Sequence, residues 1–220
     1  MNRIKKHIER LQYITHATKD KSIIDQVHIA VDAGIKWVQF RLKNADDDTF
    51  KQQAMACLEI AKRHRCTFVI NDRVHVAKEI DADGIHIGKE DMSPRTAREM
   101  LGPDKIIGCT ANTIDDIIQL SNLPIDYIGL GPFRFTKTKE KLSPILGLVG
   151  YDEIIKKAVA HNLSVPIIAI GGIQVEDVGH LFQTGVHGIA VSGIISNSNH
   201  PRKDCQNLLK QIEAQSCPTV

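Results

Sequence analysis

Eight short apolar runs, separated by amphipathic stretches long enough for a helix, constrain this chain more than any other feature. The runs are Tyr13–Thr15, Trp37–Arg41, Phe68–Asn71, Ile85–Ile87, Ile106–Cys109, Tyr127–Leu130, Ile167–Ile170 and Ile189–Ser192. Each is too short for a helix and rich in β-branched or aromatic residues, so each reads as a buried strand. The intervening stretches carry helical periodicity. Ile23 to Ala33 places Ile23, Ile24, Val27, Ala30 and Val31 on one face, with Gly34 as its C-cap. Phe50 to His64 repeats the pattern with Ala54, Leu58 and Ala61. Ser93 and Pro94 suit the N-cap and first position of another helix, and Thr113 and Asp152 are candidate caps for the next two.

A weak internal repeat points the same way. Ala33–Val38, Ala82–Ile87, Pro124–Gly129 and Gly185–Ala190 each pass from small, turn or polar residues into a strand, as an αβ loop requires. Eight βα units with continuously apolar strands imply parallel pairing and a closed (β/α)8 TIM barrel of the α/β class. A doubly wound open sheet is the alternative. The 220 residues suit one barrel and contain no evident linker, so a single domain is expected over 1–220, with its core at 11–213 and short flexible termini. The connection from Phe133 to about Gly150 is the longest and is expected to be mobile, and the tail after Ala214 to be disordered.

Charge and cysteine usage narrow the function classes. A net charge of +2 gives no argument for nucleic acid or a membrane surface. No apolar run approaches the roughly 20 residues that span a bilayer. The basic start, Met1 to His7, leads into Ile8-Glu9-Arg10 rather than an apolar segment, so no signal peptide is expected. The 5 cysteines show no CxxC spacing and read as reduced thiols of a cytoplasmic protein.

In a barrel, chemistry gathers where strands end. Alternation through the second run puts Gln39, Arg41 and Lys43 on one interior face, where two cations need an anion or an internal salt bridge. The third run leads into Asn71-Asp72 and the fourth into Lys89-Glu90-Asp91, which places Asp72 and Asp91 on neighbouring loops. Two carboxylates beside a pyrophosphate suit Mg²⁺, although capping a helix is the simpler role for either, Asp91 above all. Gly108 to Thr113 offers hydroxyls for a polar ring, whereas Cys109 and His86 read as packed interior groups. After the sixth run, Thr136-Lys137-Thr138-Lys139 presents two hydroxyls and two ammonium groups to an oxyanion. Gly171-Gly172 after the seventh run and Val191-Ser192-Gly193 after the eighth match the recurring phosphate site of barrels, built from backbone N–H groups. Together these loops suggest a site for two phosphorylated groups.

Taken in order, the stretches Gln39–Lys43, Ile70–Asp72, Asp83–Asp91, Gly108–Thr113, Gly129–Lys139, Gly171–Ile173 and Val191-Ser192 resemble the thiamine-phosphate synthase family over about residues 11 to 213. The resemblance implies a TIM barrel that joins a pyrimidine, carried as its hydroxymethyl diphosphate, to a thiazole phosphate, releasing pyrophosphate. It implies that Gln39, Phe40, Arg41, Leu42, Lys43, Asn71, Thr110 and Lys139 bind the pyrimidine diphosphate, with Arg41, Lys43 and Lys139 as the catalytic charge clamp. By the same resemblance Asp72 and Asp91 hold Mg²⁺, and Thr136, Lys137, Thr138, Gly172, Val191 and Ser192 bind the thiazole phosphate. The implied partners are small phosphorylated substrates, and the family suggests a homodimer. Two positions depart from the family pattern: Thr110 stands where Ser is usual, and Asn112 where His is frequent. The related thiazole tautomerases use a His in that region for proton transfer, which Asn112 cannot perform. A non-catalytic thiazole-phosphate-binding regulator would need only the sites after runs seven and eight.

Overall fold

Parallel pairing closes eight strands into a barrel in sequence order, with the last strand hydrogen-bonded to the first. The computed structural model describes residues 6–135 and 144–215. The strands are β1 (Leu11–Ile14), β2 (Trp37–Phe40), β3 (Thr67–Asn71), β4 (Gly84–Ile87), β5 (Ile106–Ala111), β6 (Tyr127–Leu130), β7 (Ile167–Ile170) and β8 (Gly188–Val191). Between and after them lie α1 (Ile23–Asp32), α2 (Asp47–Arg63), α3 (Val74–Glu79), α4 (Pro94–Leu101), α5 (Ile114–Ser121), α6 (Gly147–Ala160), α7 (Val178–Gln183), α8 (Gly193–Ser196) and α9 (Pro201–Ala214). The expected TIM barrel is therefore what forms, and the open-sheet alternative is excluded.

Two apolar layers hold the barrel. Outward-facing strand residues pack under the helices: Phe40 meets Phe50 of α2 edge-on at 4.9 Å and Phe68 of β3 at 6.0 Å. Inside, the end nearer the strand starts is filled by Trp37, Val69, Ile106 and Ile168, with Trp37 edge-on to Tyr127 at 4.8 Å. Toward the strand ends the interior turns polar, through Gln39, Asn71, His86 and Thr110. This gradient puts hydrogen-bonding groups at the C-terminal mouth, over an apolar floor.

Helix starts explain two departures from expectation. α2 begins three residues before Phe50 because the Asp46 carboxylate accepts from Thr49 N at 2.7 Å. α6 begins at Gly147, so Asp152 lies inside it and pairs with Lys156 at 2.6 Å instead of capping it. The expected long connection thus ends before Gly150; its residues 136–143 lie outside the described residues, as does the tail beyond Gln215. Ser93 and Thr113 cap α4 and α5 as expected, the latter in a capping box with Asp116. Cys57, Cys66, Cys109 and Cys205 are free and buried, and Cys217 lies outside the described residues. No helix among the described residues is long and apolar enough to cross a membrane.

Candidate active site

The loop after β2 does not continue the strand's alternation, because β2 ends at Phe40. Gln39 remains inside, buried, with its Nε2 donating to Asn71 Oδ1 at 3.4 Å. Arg41 is half-buried and held through its backbone. The buried Thr15 hydroxyl donates to Arg41 O at 2.9 Å and accepts from Arg41 N at 2.7 Å. Lys43 is exposed on the loop, not lined up with Gln39 as expected. Phe40 and Leu42 pack into the outer layer, so Phe40 can offer the mouth only its backbone. Arg73, just past β3, braces the same loop. Its guanidinium donates to Asp46 O at 3.1 Å, to the Asp47 carboxylate at 2.6 Å and to Ala45 O, and lies 4.3 Å from the Phe50 ring.

Asp72 occupies a tight turn. Its φ is +66°, and Arg73 N donates back to Asn71 O at 2.8 Å. A left-handed residue other than Gly costs roughly 1–2 kcal/mol, a strain that tends to persist at functional positions. Asp91 does not cap α4, since Ser93 does so by accepting from Thr96 N at 3.2 Å; Asp91 instead accepts from Gly88 N at 2.7 Å. The two carboxylates are close enough to interact directly. Crowding by surrounding protein and then the Asp91 charge push the Asp72 carboxyl up to about 6, while Arg41 pulls the other way. Such a pair suits a divalent cation, which would relieve the like-charge contact. It also suits Mg²⁺ in donor number, because Mg²⁺ takes one or two carboxylates and completes its octahedron with water and substrate oxygens. Among the described residues no group of three or more His, Cys, Asp and Glu is arranged to hold a metal alone.

Below the mouth a hydrogen-bonded relay crosses the barrel. Gln12 Nε2 donates to Tyr127 OH at 3.2 Å, Tyr127 OH meets His86 Nδ1 at 2.9 Å, and His86 Nε2 meets Thr110 Oγ1 at 3.0 Å. The Tyr127 ring has room only because residue 108 is glycine; a Cβ there would sit 2.0 Å from Tyr127 Cζ. His86 is thus a satisfied interior group, as expected, and it fixes the hydroxyl of Thr110. Cys109 faces the outer layer, and burial pushes its thiol up to about 12, which removes it as a nucleophile. The Asn112 side-chain amide is committed to Gly131 O.

On the far side of the mouth, Gly171 and Gly172 turn at φ +102° and +69°. The chain leaving β6 runs against this turn, with Phe133 N donating to Ile170 O at 2.9 Å and Arg134 N to Gly171 O at 2.8 Å. Any Cβ at Gly172 would lie 3.0 Å from both Arg134 Cβ and Phe135 O. Thr136, Lys137, Thr138 and Lys139 lie outside the described residues. The chain returns where Leu146 N and Gly147 N donate to Pro132 O and Phe133 O, each at 3.0 Å, so both ends of that segment are tied beside the glycine turn. Ser192 follows β8 and opens the single-turn helix α8; the Val191 side chain faces the outer layer. Thr15, Arg73, the Gln12–Tyr127 pair and Arg134 escaped the sequence reading, because each acts on a backbone group or interior side chain far away in the chain.

A closed parallel barrel whose C-terminal mouth collects a carboxylate pair, a cationic loop and a tight glycine turn has the layout of a barrel enzyme that binds a small molecule over its strand ends. The chain belongs to the thiamine monophosphate synthase family, whose pattern it matches over residues 11–195. The thiamine-phosphate synthase of Flavobacterium johnsoniae is 44% identical over 205 residues, covering 93% of this chain and 97% of that protein. That of Phocaeicola vulgatus is 44% identical over 199 residues, covering 90% and 96%. Among solved structures, the thiamine phosphate pyrophosphorylase from Pyrococcus furiosus superposes with a TM-score of 0.83 at 29% identity, over 94% of this chain and 96% of that one. The resemblance read from the motifs is borne out.

Proposed function

We propose that this chain condenses an aminopyrimidine, carried as its hydroxymethyl diphosphate, with a thiazole phosphate, giving thiamine phosphate and pyrophosphate in a Mg²⁺-dependent reaction. The observation that carries the reading is the Asp72–Asp91 pair beside Arg41, at the barrel mouth of a family member. Asp72 and Asp91 would hold the Mg²⁺, which when bound supplies positive charge to the departing pyrophosphate.

Arg41, Lys43 and Lys139 would add positive charge around the same leaving group, and such donors act most strongly in a site shielded from water. Gln39, Asn71 and Thr110 would orient the pyrimidine, with the backbone at Phe40 and Leu42 closing its side. Ring electrons of the aminopyrimidine stabilise the methylene cation left as pyrophosphate departs. Thr136, Lys137 and Thr138, with backbone at Gly172, Val191 and Ser192, would hold the thiazole by its phosphate, so that its nitrogen faces the cation. Positioning of two bound partners can then supply much of the acceleration, and no protein nucleophile is required. The engagement of the Asn112 amide with Gly131 O favours this reading over a tautomerase, since that position offers no proton-transfer group.

The test is a pair of variants. Asp72→Ala and Asp91→Ala should abolish Mg²⁺-dependent turnover while thiazole phosphate still binds by calorimetry. Full activity in either variant would refute the metal role.

A further inference from the structure

Arg134 sits at the junction of three pieces of the mouth. Its Nη1 donates to Gly172 O at 2.6 Å and to Asp177 Oδ2 at 2.8 Å, and its Nη2 donates to Asp177 Oδ1 at 2.9 Å. Asp177 Oδ2 also accepts from Gln174 N at 2.8 Å. The side chain of Asp177 is only 12% exposed, whereas that of Arg134 is 46% exposed. An isolated surface ion pair contributes little to stability. This one has a geometric consequence instead, because it fixes the Gly172 carbonyl and, through Asp177, the Gln174 N–H. In a trans peptide C=O and N–H point in opposite directions. Holding Gly172 O against Arg134 therefore turns the Ile173 N–H away from it. Among the described residues, neither the Gly172 N–H nor the Ile173 N–H has a hydrogen-bond partner. Consecutive unpaired N–H groups beside left-handed glycines form an anion-binding concavity.

We propose that Arg134 is a positioning residue: with Asp177 it sets the peptide planes of the Gly171–Gly172 turn, so that the Gly172 and Ile173 N–H groups stay turned toward the thiazole phosphate. This rests on the synthase reading above. Arg134 need not touch substrate for this role, which its three bonds to Gly172 O and the Asp177 carboxylate already define.

The experiment measures both Michaelis constants in the intact protein for wild type, Arg134→Ala, Arg134→Lys and Asp177→Asn, with melting temperatures alongside. At metal sites, outer partners that orient a ligand change affinity by about 10–100-fold, and the loss of an orienting bond to an anion-binding turn acts in the same way. Arg134→Ala should raise KM for thiazole phosphate by on the order of tenfold and leave KM for the pyrimidine diphosphate within twofold. Arg134→Lys, which keeps the charge but loses the planar fork that reaches Gly172 O and Asp177 together, should fall between wild type and Arg134→Ala, and Asp177→Asn should shift the same constant. A lowered melting temperature with both constants unchanged would overturn the proposal, as would an equal rise in both. Absence of turnover in the wild type would refute the synthase reading, which keeps the two failures apart.

Discussion

Replacing Gly108 by alanine tests whether the barrel interior and the site are one structure. The added Cβ would lie 2.0 Å from Tyr127 Cζ, 2.2 Å from Cε1 and 2.5 Å from the hydroxyl oxygen. Tyr127 cannot step aside cheaply. It is fully buried, edge-on to Trp37, and hydrogen-bonded to both Gln12 and His86. Overpacking of this kind costs about 1–3 kcal/mol. Displacing the phenol also loses up to two neutral hydrogen bonds, at about 1 kcal/mol each. A total of about 3 kcal/mol should lower the melting temperature by roughly 6–12 °C in a protein of this size. Turnover should fall as well, because His86 loses the partner that holds it against Thr110. Calorimetry and initial rates read the two effects separately. The double variant Gly108→Ala/Tyr127→Leu removes the clash and should lose less stability than the two single changes summed. A melting temperature for Gly108→Ala within about 2 °C of wild type, with full activity, would refute the reasoning.

Two further perturbations probe the mouth. The folded Asp72 carboxyl titrates at about 6, above its ordinary value of 3.8, so the folded state binds the extra proton and stability falls as pH rises through that window. Unscreened, the penalty above pH 6 would be about 3 kcal/mol, but Asp72 is open to water and screening leaves about 1 kcal/mol. Asp72→Asn should therefore raise the melting temperature of the ligand-free protein near pH 8 and not near pH 3.5; an equal change at both pH values would contradict the assignment. Thr15→Val keeps the shape but removes both bonds to the Arg41 backbone. It should cost about 1–3 kcal/mol and raise KM for the pyrimidine diphosphate more than for thiazole phosphate, and unchanged constants would show that Arg41 does not depend on this tie.

The strands were legible because a parallel barrel buries them on both faces, which leaves an unbroken apolar run in the sequence. Their ends were less so. β1 runs Leu11–Ile14, and Thr15 proves to be a buried clamp on the neighbouring loop instead of the strand's last residue. α2 starts earlier than its apolar periodicity, since Asp46 caps a polar first turn. The metal-binding candidates could be read because Asp72 and Asp91 follow adjacent strands, and adjacent strands in a barrel put their loops side by side. Alternation misled at Lys43, where the strand had already ended, and gave no warning that Phe40 and Val191 turn their side chains to the helices. Arg73 and Arg134 left no sequence signal, because their partners are carbonyls and carboxylates distant in the chain.

Turnover by the purified chain tests the central claim most directly. Supplied with the pyrimidine diphosphate, thiazole phosphate and Mg²⁺, the protein should release thiamine phosphate and pyrophosphate in equal amounts, and chelating the metal should stop both. Pyrophosphate released without thiamine phosphate, or no product under conditions where both substrates bind, would contradict it.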